Sequence, residues 1–121
     1  MVIYNLIDKT DFFVKYTYYP ESNKEKVGYL LFDVQTKNIK EIIPSEDDFL
    51  MVHTVEEQNQ LRNSLNDMRR ESGRKLLTEE EWPIATKDME YYCYASKAID
   101  KISMELNRLK SFPNEGKVIW Y

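Results

Sequence analysis

Ile39-Lys40-Glu41-Ile42-Ile43-Pro44-Ser45-Glu46-Asp47-Asp48 is the stretch in which the chain changes its grammar. Up to Ile43 the sequence reads as short β-strands. From Ser45 to Phe112 it reads as helices, and the last residues read as a strand again. Pro44 cannot donate to a strand ladder and so ends the run before it. Ser45 followed by three carboxylates has the composition of a helix start, through side-chain capping and the positive end of the helix dipole. The pattern predicts a helical turn from there to about Val52. Strands first and helices second place the chain in the segregated α+β class.

Working back from that switch, Gln35 to Asn38 is a polar turn joining Val27–Val34 to Ile39–Ile43 as a hairpin. Pro20 to Lys26 is a loop by composition. Phe12–Tyr19 alternates, with Phe12, Val14, Tyr16 and Tyr18 on one face and Phe13, Lys15, Thr17 and Tyr19 on the other. Val2–Ile7 is a compact run of β-formers. Together these predict an antiparallel meander of about four strands.

Working forward, Thr54-Val55-Glu56-Glu57 is a capping box. The helix it opens runs to about Ser72, where Gly73 suits a C-cap. Its apolar stripe of Val55, Leu61, Leu65 and Met68 is narrow, which predicts a largely exposed helix. Thr78-Glu79-Glu80-Glu81 repeats the capping pattern, but Pro83 follows so soon that only a short turn is expected, with Trp82 available to pack or to bind. The longest helix is expected from about Thr86 to Ser111, with Met89, Tyr92, Cys93, Ser96, Ile99, Ile102, Leu106 and Leu109 as its apolar stripe. Phe112-Pro113 ends it, and Lys117–Tyr121 reads as a final strand. The expected architecture is a single domain over 1–121, with both helices packed on one face of the sheet.

Composition narrows the function classes. Hydrophobic residues make up 42% and charged residues 31% of the 121 residues, a globular balance with one modest core. Cys93 is the only cysteine, which excludes an intramolecular disulfide. The first residues lack a basic stretch followed by an apolar run, so no signal peptide is expected. No run approaches the roughly 20 apolar residues that span a bilayer. A cytoplasmic protein without membrane association is the expectation.

The net charge is −4 and is unevenly placed. Residues 44–57 carry five acidic groups and no Lys or Arg, residues 58–77 five basic and two acidic, and residues 78–90 five acidic and one basic. An acidic chain is poorly suited to the phosphate contacts of nucleic-acid binding. It is suited to meeting a basic protein.

Nothing of catalytic grade overlies this pattern. His53 and Cys93 are the only soft or borderline metal ligands, too few for a zinc site. Cys93 falls in an apolar stripe and reads as an inert thiol. The carboxylates cluster at helix starts, where capping explains them without acid–base chemistry. Arg69, Arg70, Arg74 and Lys75 sit where a helix C-terminus favours cations. The ladder of Tyr16, Tyr18, Tyr19, Tyr29 and Phe32 reads as sheet core rather than as a base-stacking platform. No catalytic residue, metal or cofactor is expected.

The layout resembles small acidic bacterial immunity proteins of polymorphic-toxin and contact-dependent inhibition systems. The likeness is carried by Gly28-Tyr29-Leu30-Leu31-Phe32-Asp33-Val34, the turn Gln35 to Asn38 and the acidic stretch from Glu46. It is architectural and transfers no binding residue. It implies a non-enzymatic binding protein, an immunity or inhibitor protein that neutralises a basic toxin partner. From the residues themselves, acidic groups steer a cationic partner and an exposed aromatic anchors it. The expected contact residues are Glu46, Asp47, Asp48, Glu79, Glu80, Glu81 and Trp82. A structural or assembly subunit forming a homo-oligomer is the alternative.

Overall fold

The alternation read in 12–19 becomes the central strand of a five-stranded antiparallel sheet. In the computed structural model, which describes residues 1–120, the strands are β1 (Val2–Lys9), β2 (Phe13–Pro20), β3 (Gly28–Asp33), β4 (Ile39–Ile43) and a C-terminal strand, Glu115–Val118. Their order is β4-β3-β2-β1 with the C-terminal strand on the far side of β1. The meander and the returning strand are as the alternation predicts. The returning strand begins at Glu115 rather than Lys117, pairing Val2 with Val118 and Tyr4 with Gly116; Tyr121, placed in that strand by the sequence, lies outside the described residues.

One face of the sheet carries Val2, Tyr4, Val14, Tyr16, Tyr18, Leu30 and Phe32, all buried. Phe12, expected on that face, lies in the turn before β2 and is 81% exposed. Tyr4, Tyr16, Phe32 and Phe112 form a run of edge-to-face rings with centroids 5.7–5.9 Å apart, the arrangement that ring quadrupoles favour. Tyr16 places its hydroxyl 2.6 Å from the Pro113 carbonyl, so its one buried donor is satisfied. Two glycines make room for these rings. Gly28 lies opposite Tyr18 and Gly116 opposite Tyr4, and an added Cβ at either would run into the facing tyrosine.

The helix that covers this face is shorter than its sequence suggests. Residues 50–52 and 89–92, expected to be helical, instead lie in a two-stranded ribbon of β5 (Leu50–His53) and β6 (Met89–Tyr92). The helix begins only at Cys93 and ends at Leu109. Its buried residues are Ala95, Ala98, Ile102 and Leu106, a stripe rotated from the expected one, with Ile99 half-buried and Leu109 exposed. Small alanines on the helix face large aromatics on the sheet within one cluster.

The delayed start has a specific cause. Tyr92, the cap residue of this helix, makes no capping bond of its own. The cap comes from Asp48, far away in sequence. Its Oδ1 accepts from the Tyr94 amide at 2.8 Å and its Oδ2 from the Ala95 amide at 3.0 Å. Oδ2 also accepts from the Tyr18 hydroxyl at 2.7 Å, and that hydroxyl accepts from the Ser45 amide at 3.0 Å. The Cys93 amide donates to the Phe49 carbonyl at 3.0 Å. The helix predicted at Ser45 is therefore replaced by a loop. Ser45 is buried, and its hydroxyl donates to the Lys26 carbonyl at 2.6 Å and accepts from the Asp47 amide at 3.2 Å.

Two compact units emerge, one comprising 1–50 with the chain from 91 onward and the other 51–90. The chain leaves the first along β5 and returns along β6. The second unit holds α1 (Val55–Glu71) and the irregular segment that follows it. The helix of 93–109, α2, is the one that packs on the sheet; α1 has no fully buried residue. Its capping box forms as read, with the Thr54 hydroxyl accepting from the Glu57 amide at 3.1 Å and the Glu57 carboxylate accepting from the Thr54 amide at 3.3 Å. Gly73, just past the helix, has φ +73°, a conformation that glycine adopts freely.

Asp48→Ala should destabilise the protein by about 2 kcal/mol or more in urea unfolding, since it removes an N-cap and leaves a buried tyrosine hydroxyl without its acceptor. Ile102→Ala should cost about 2–5 kcal/mol and Ile99→Ala clearly less, which reports the rotated stripe. Burial pushes the Tyr16 and Tyr18 hydroxyls well above the usual tyrosine range. Unfolded tyrosines ionise near about 10, so the stability this provides is complete below that pH and is lost as pH rises toward the folded values. Urea midpoints measured from neutral to strongly alkaline pH should fall above about pH 10, and Tyr16→Phe should flatten that fall.

Candidate functional site

The two acidic stretches singled out in the sequence are used differently. Asp48 is half-buried, its carboxylate taken by the α2 amides and Tyr18. Glu46 is exposed and paired with Lys26 at 2.7 Å, which holds its carboxyl below the usual range. Asp47 is exposed in the turn between them. Of this stretch, only Asp47 is exposed with no ion pair among the described residues.

Glu79, Glu80 and Glu81 lie in the second unit, on a single turn closed as its capping pattern predicts. The Glu81 amide donates to the Thr78 hydroxyl at 3.3 Å, and the Trp82 amide to the Thr78 carbonyl at 2.9 Å. Pro83 stops the turn from growing into a helix. All three carboxylate residues are exposed and Trp82 is half-buried.

What holds this turn in place was not evident from the sequence. The segment from 75 to 88 runs back along α1 with its backbone bonded to a row of helix side chains. Arg69 Nη1 donates to the Lys75 carbonyl at 3.2 Å, and Asn66 Oδ1 accepts from the Leu77 amide at 2.8 Å. Arg62 Nε donates to the Trp82 carbonyl at 2.8 Å. Asn59 bonds both groups of Ala85, at 2.8 and 3.3 Å, and Gln58 Nε2 reaches the Lys87 carbonyl at 3.1 Å. Asp88 returns the favour at the helix start, accepting from the Val55 amide at 2.9 Å. The positions 58, 59, 62, 66 and 69 recur at helical spacing. The signal was therefore present as a polar stripe, where a search for apolar periodicity passes over it.

With the polar stripe facing the return segment, Leu61 and Met68 are left 56% and 63% exposed. Leu61, Trp82 and Met89 form the apolar walls of a cleft of about 200 Å³ that His53, Glu57 and Gln58 complete. The Glu57 carboxylate lies 3.7 Å from His53 Nδ1 and is 59% exposed. A second concavity adjoins it along Pro83 to Met89. On the sheet's other face, Phe13, Leu31 and Ile43 line a cleft of about 280 Å³, where Lys15 sits over the Tyr29 ring at 4.8 Å. The carboxylates there, Asp8 and Glu41, stand beside Lys15, with Asp8 directly opposite it across the strands, so this site carries mixed charge.

Cys93 is half-buried at the start of α2, and burial together with the nearby Asp48 carboxylate pushes its thiol up, away from the reactive range. His53 ends β5 just before the α1 cap. Among the described residues, no three His, Cys, Asp or Glu side chains are grouped to hold a metal ion, and no helix is long and apolar enough to cross a membrane. Of the aromatic ladder, Tyr16, Tyr18 and Phe32 are core as read, whereas Tyr19 and Tyr29 are only half-buried and outside the core cluster. The chain matches no protein-family model, no curated protein and no solved structure.

The side-chain-to-backbone ladder predicts a local signature. Asn59→Ala should lower hydrogen-exchange protection at Ala85 by about tenfold, and Asn66→Ala should do so at Leu77, the effect of one net hydrogen bond. Neither change should alter exchange in β1 to β4.

Proposed function

We propose that this is a non-enzymatic binding protein that engages a basic protein partner through residues 51–90, in the manner of the immunity and inhibitor proteins whose layout it resembles. A basic toxin domain is the partner class this implies, and the cytoplasm is the place of action. The observation that carries the proposal is the make-up of that unit. None of its side chains is fully buried, while Leu61, Met68, Ile84 and Met89 stand about half exposed or more beside three consecutive exposed carboxylates. Units of about 40 residues usually need a staple or a partner to become stable. This unit has neither disulfide nor grouped metal ligands among its described residues. Apolar groups rimmed by charge are what a protein interface presents.

The acidic contribution is assigned to Glu79, Glu80 and Glu81, and the anchor to Trp82; Glu46 and Asp47 lie outside this unit. Asp48 is left out, because its carboxylate already has three internal donors. Homo-oligomerisation through a sheet edge is disfavoured. β4 carries a bulge between its pairings with Leu31 and Phe32, which leaves Lys40 unpaired, and the edge strand at Glu115–Val118 is short. Both are devices that discourage edge pairing.

The test is a salt series of association kinetics with partner captured from the source organism, alongside urea unfolding. The triple change Glu79→Lys, Glu80→Lys, Glu81→Lys should slow association at least tenfold at low salt and leave the unfolding midpoint in place, since exposed charges steer but stabilise little. Trp82→Ala should instead raise the off-rate, by an amount worth about 2 kcal/mol or more for a buried anchor. Salt-independent association with full affinity in both variants would overturn the proposal.

A further inference from the structure

We propose that the cleft walled by Leu61, Trp82 and Met89, with Glu57 in its lining, is a socket for one arginine or lysine side chain of the basic partner. This rests on the binding function proposed above and names the chemistry that its central contact would use.

Size comes first. Clefts that hold drug-sized molecules usually have about 300–1,000 Å³. This one has about 200 Å³, the scale of a single long side chain. Its walls are of two kinds. Leu61, Met89 and the Trp82 indole offer apolar surface, on which the aliphatic stem of Arg or Lys packs while its head stays polar. Indole is also the best side-chain face for a cation. Glu57 supplies a formal negative charge, and no Lys or Arg lines the cleft. The nearest guanidinium on the helix wall, Arg62, is turned by its Nε to the Trp82 carbonyl. An aliphatic stem with a cationic end satisfies all three features; an acidic side chain would meet Glu57, and a purely apolar one would partly desolvate that carboxylate without bringing a cation to it.

The ladder along α1 gives the socket its rigidity. Arg62 holds the Trp82 carbonyl and Asn59 clamps Ala85 from both sides, so the indole is carried on a backbone fixed against the same helix that supplies Leu61 and Glu57. A pre-formed wall loses little freedom on binding. The three carboxylates that precede Trp82 in the chain would gather a basic surface toward it.

The capping box makes a clean test available. Glutamine replaces glutamate in such a box while keeping the reciprocal bonds, so Glu57→Gln removes the charge and retains the helix start. The probe is N-acetyl-arginine methylamide, titrated while following the Trp82 indole N–H and the Met89 methyl by NMR. The citrulline analogue, of the same shape without the charge, is the control. Saturable shifts at both reporters are expected, with a dissociation constant on the order of millimolar for so small a ligand. Affinity should fall at least fivefold for citrulline and in Glu57→Gln, and vanish in Trp82→Ala. Absence of saturable shifts, equal binding of citrulline, or unchanged binding in Glu57→Gln would overturn the socket. Salt-dependent capture of a basic partner that survives Glu57→Gln would overturn the socket alone and leave the binding function standing. Loss of all salt-dependent capture, even by the unaltered protein, would remove both.

Discussion

A single carboxylate organises the larger unit. Asp48 caps α2 from a distance of more than forty residues, and the same group receives the hydroxyl of Tyr18 from the middle of the sheet. A helix N-terminus leaves its first amides without partners, and a buried tyrosine hydroxyl has the same need for an acceptor. One carboxylate answers both, so the position of the helix, the sheet and the loop after β4 become one geometric condition. Ser45 extends it. Its amide donates to the Tyr18 hydroxyl and its side chain to the Lys26 carbonyl, which ties the loop before β3 to the loop after β4. The aromatic core then fills the space this frame defines, with glycine opposite tyrosine at two strand pairs so that rings can lie across the backbone.

The second unit is built on the opposite principle. Its helix turns a polar stripe inward, toward a segment whose backbone amides and carbonyls have no sheet to join. Backbone polar groups must be satisfied somewhere. Asn, Gln and Arg side chains do that here in place of a strand ladder. Hydrogen bonds of this kind fix a conformation well but contribute little net stability each. A unit held this way keeps its apolar side chains for other use, and Leu61, Met68, Ile84 and Met89 are accordingly near the surface.

Acidic residues in helix-start sequence patterns are used differently in the two units. Asp48 is part of the architecture, as the capping interpretation of acidic residues requires, although for a helix other than the one following it in sequence. Glu79 to Glu81 sit on a turn that needs only the Thr78 hydroxyl and carbonyl to close. The Glu81 carboxylate also accepts from the Thr78 hydroxyl at 3.2 Å, while Glu79 and Glu80 stay exposed on the turn beside Trp82.

The meander, its hairpin at Gln35 to Asn38, the α1 capping box and the turn at Thr78 were all legible in the sequence, because each rests on residues within a few positions of one another: period-2 alternation, turn formers, a Thr-x-x-Glu box. The same local logic predicted a helix after Ser45 and a helix start near Thr86, and both were displaced. The Ser45 stretch has the right composition for a cap, but its carboxylate caps α2, and residues 89–92 pair with 50–53 instead of extending α2 backward. The ladder along α1 and the cleft at Trp82 were equally out of reach, since polar residues at helical spacing are indistinguishable from a solvated face until the segment they hold is in place. Local chemistry determines which elements a chain can form; which cap serves which helix, and which polar face meets backbone rather than water, depends on partners distant in sequence, and only folding brings those together.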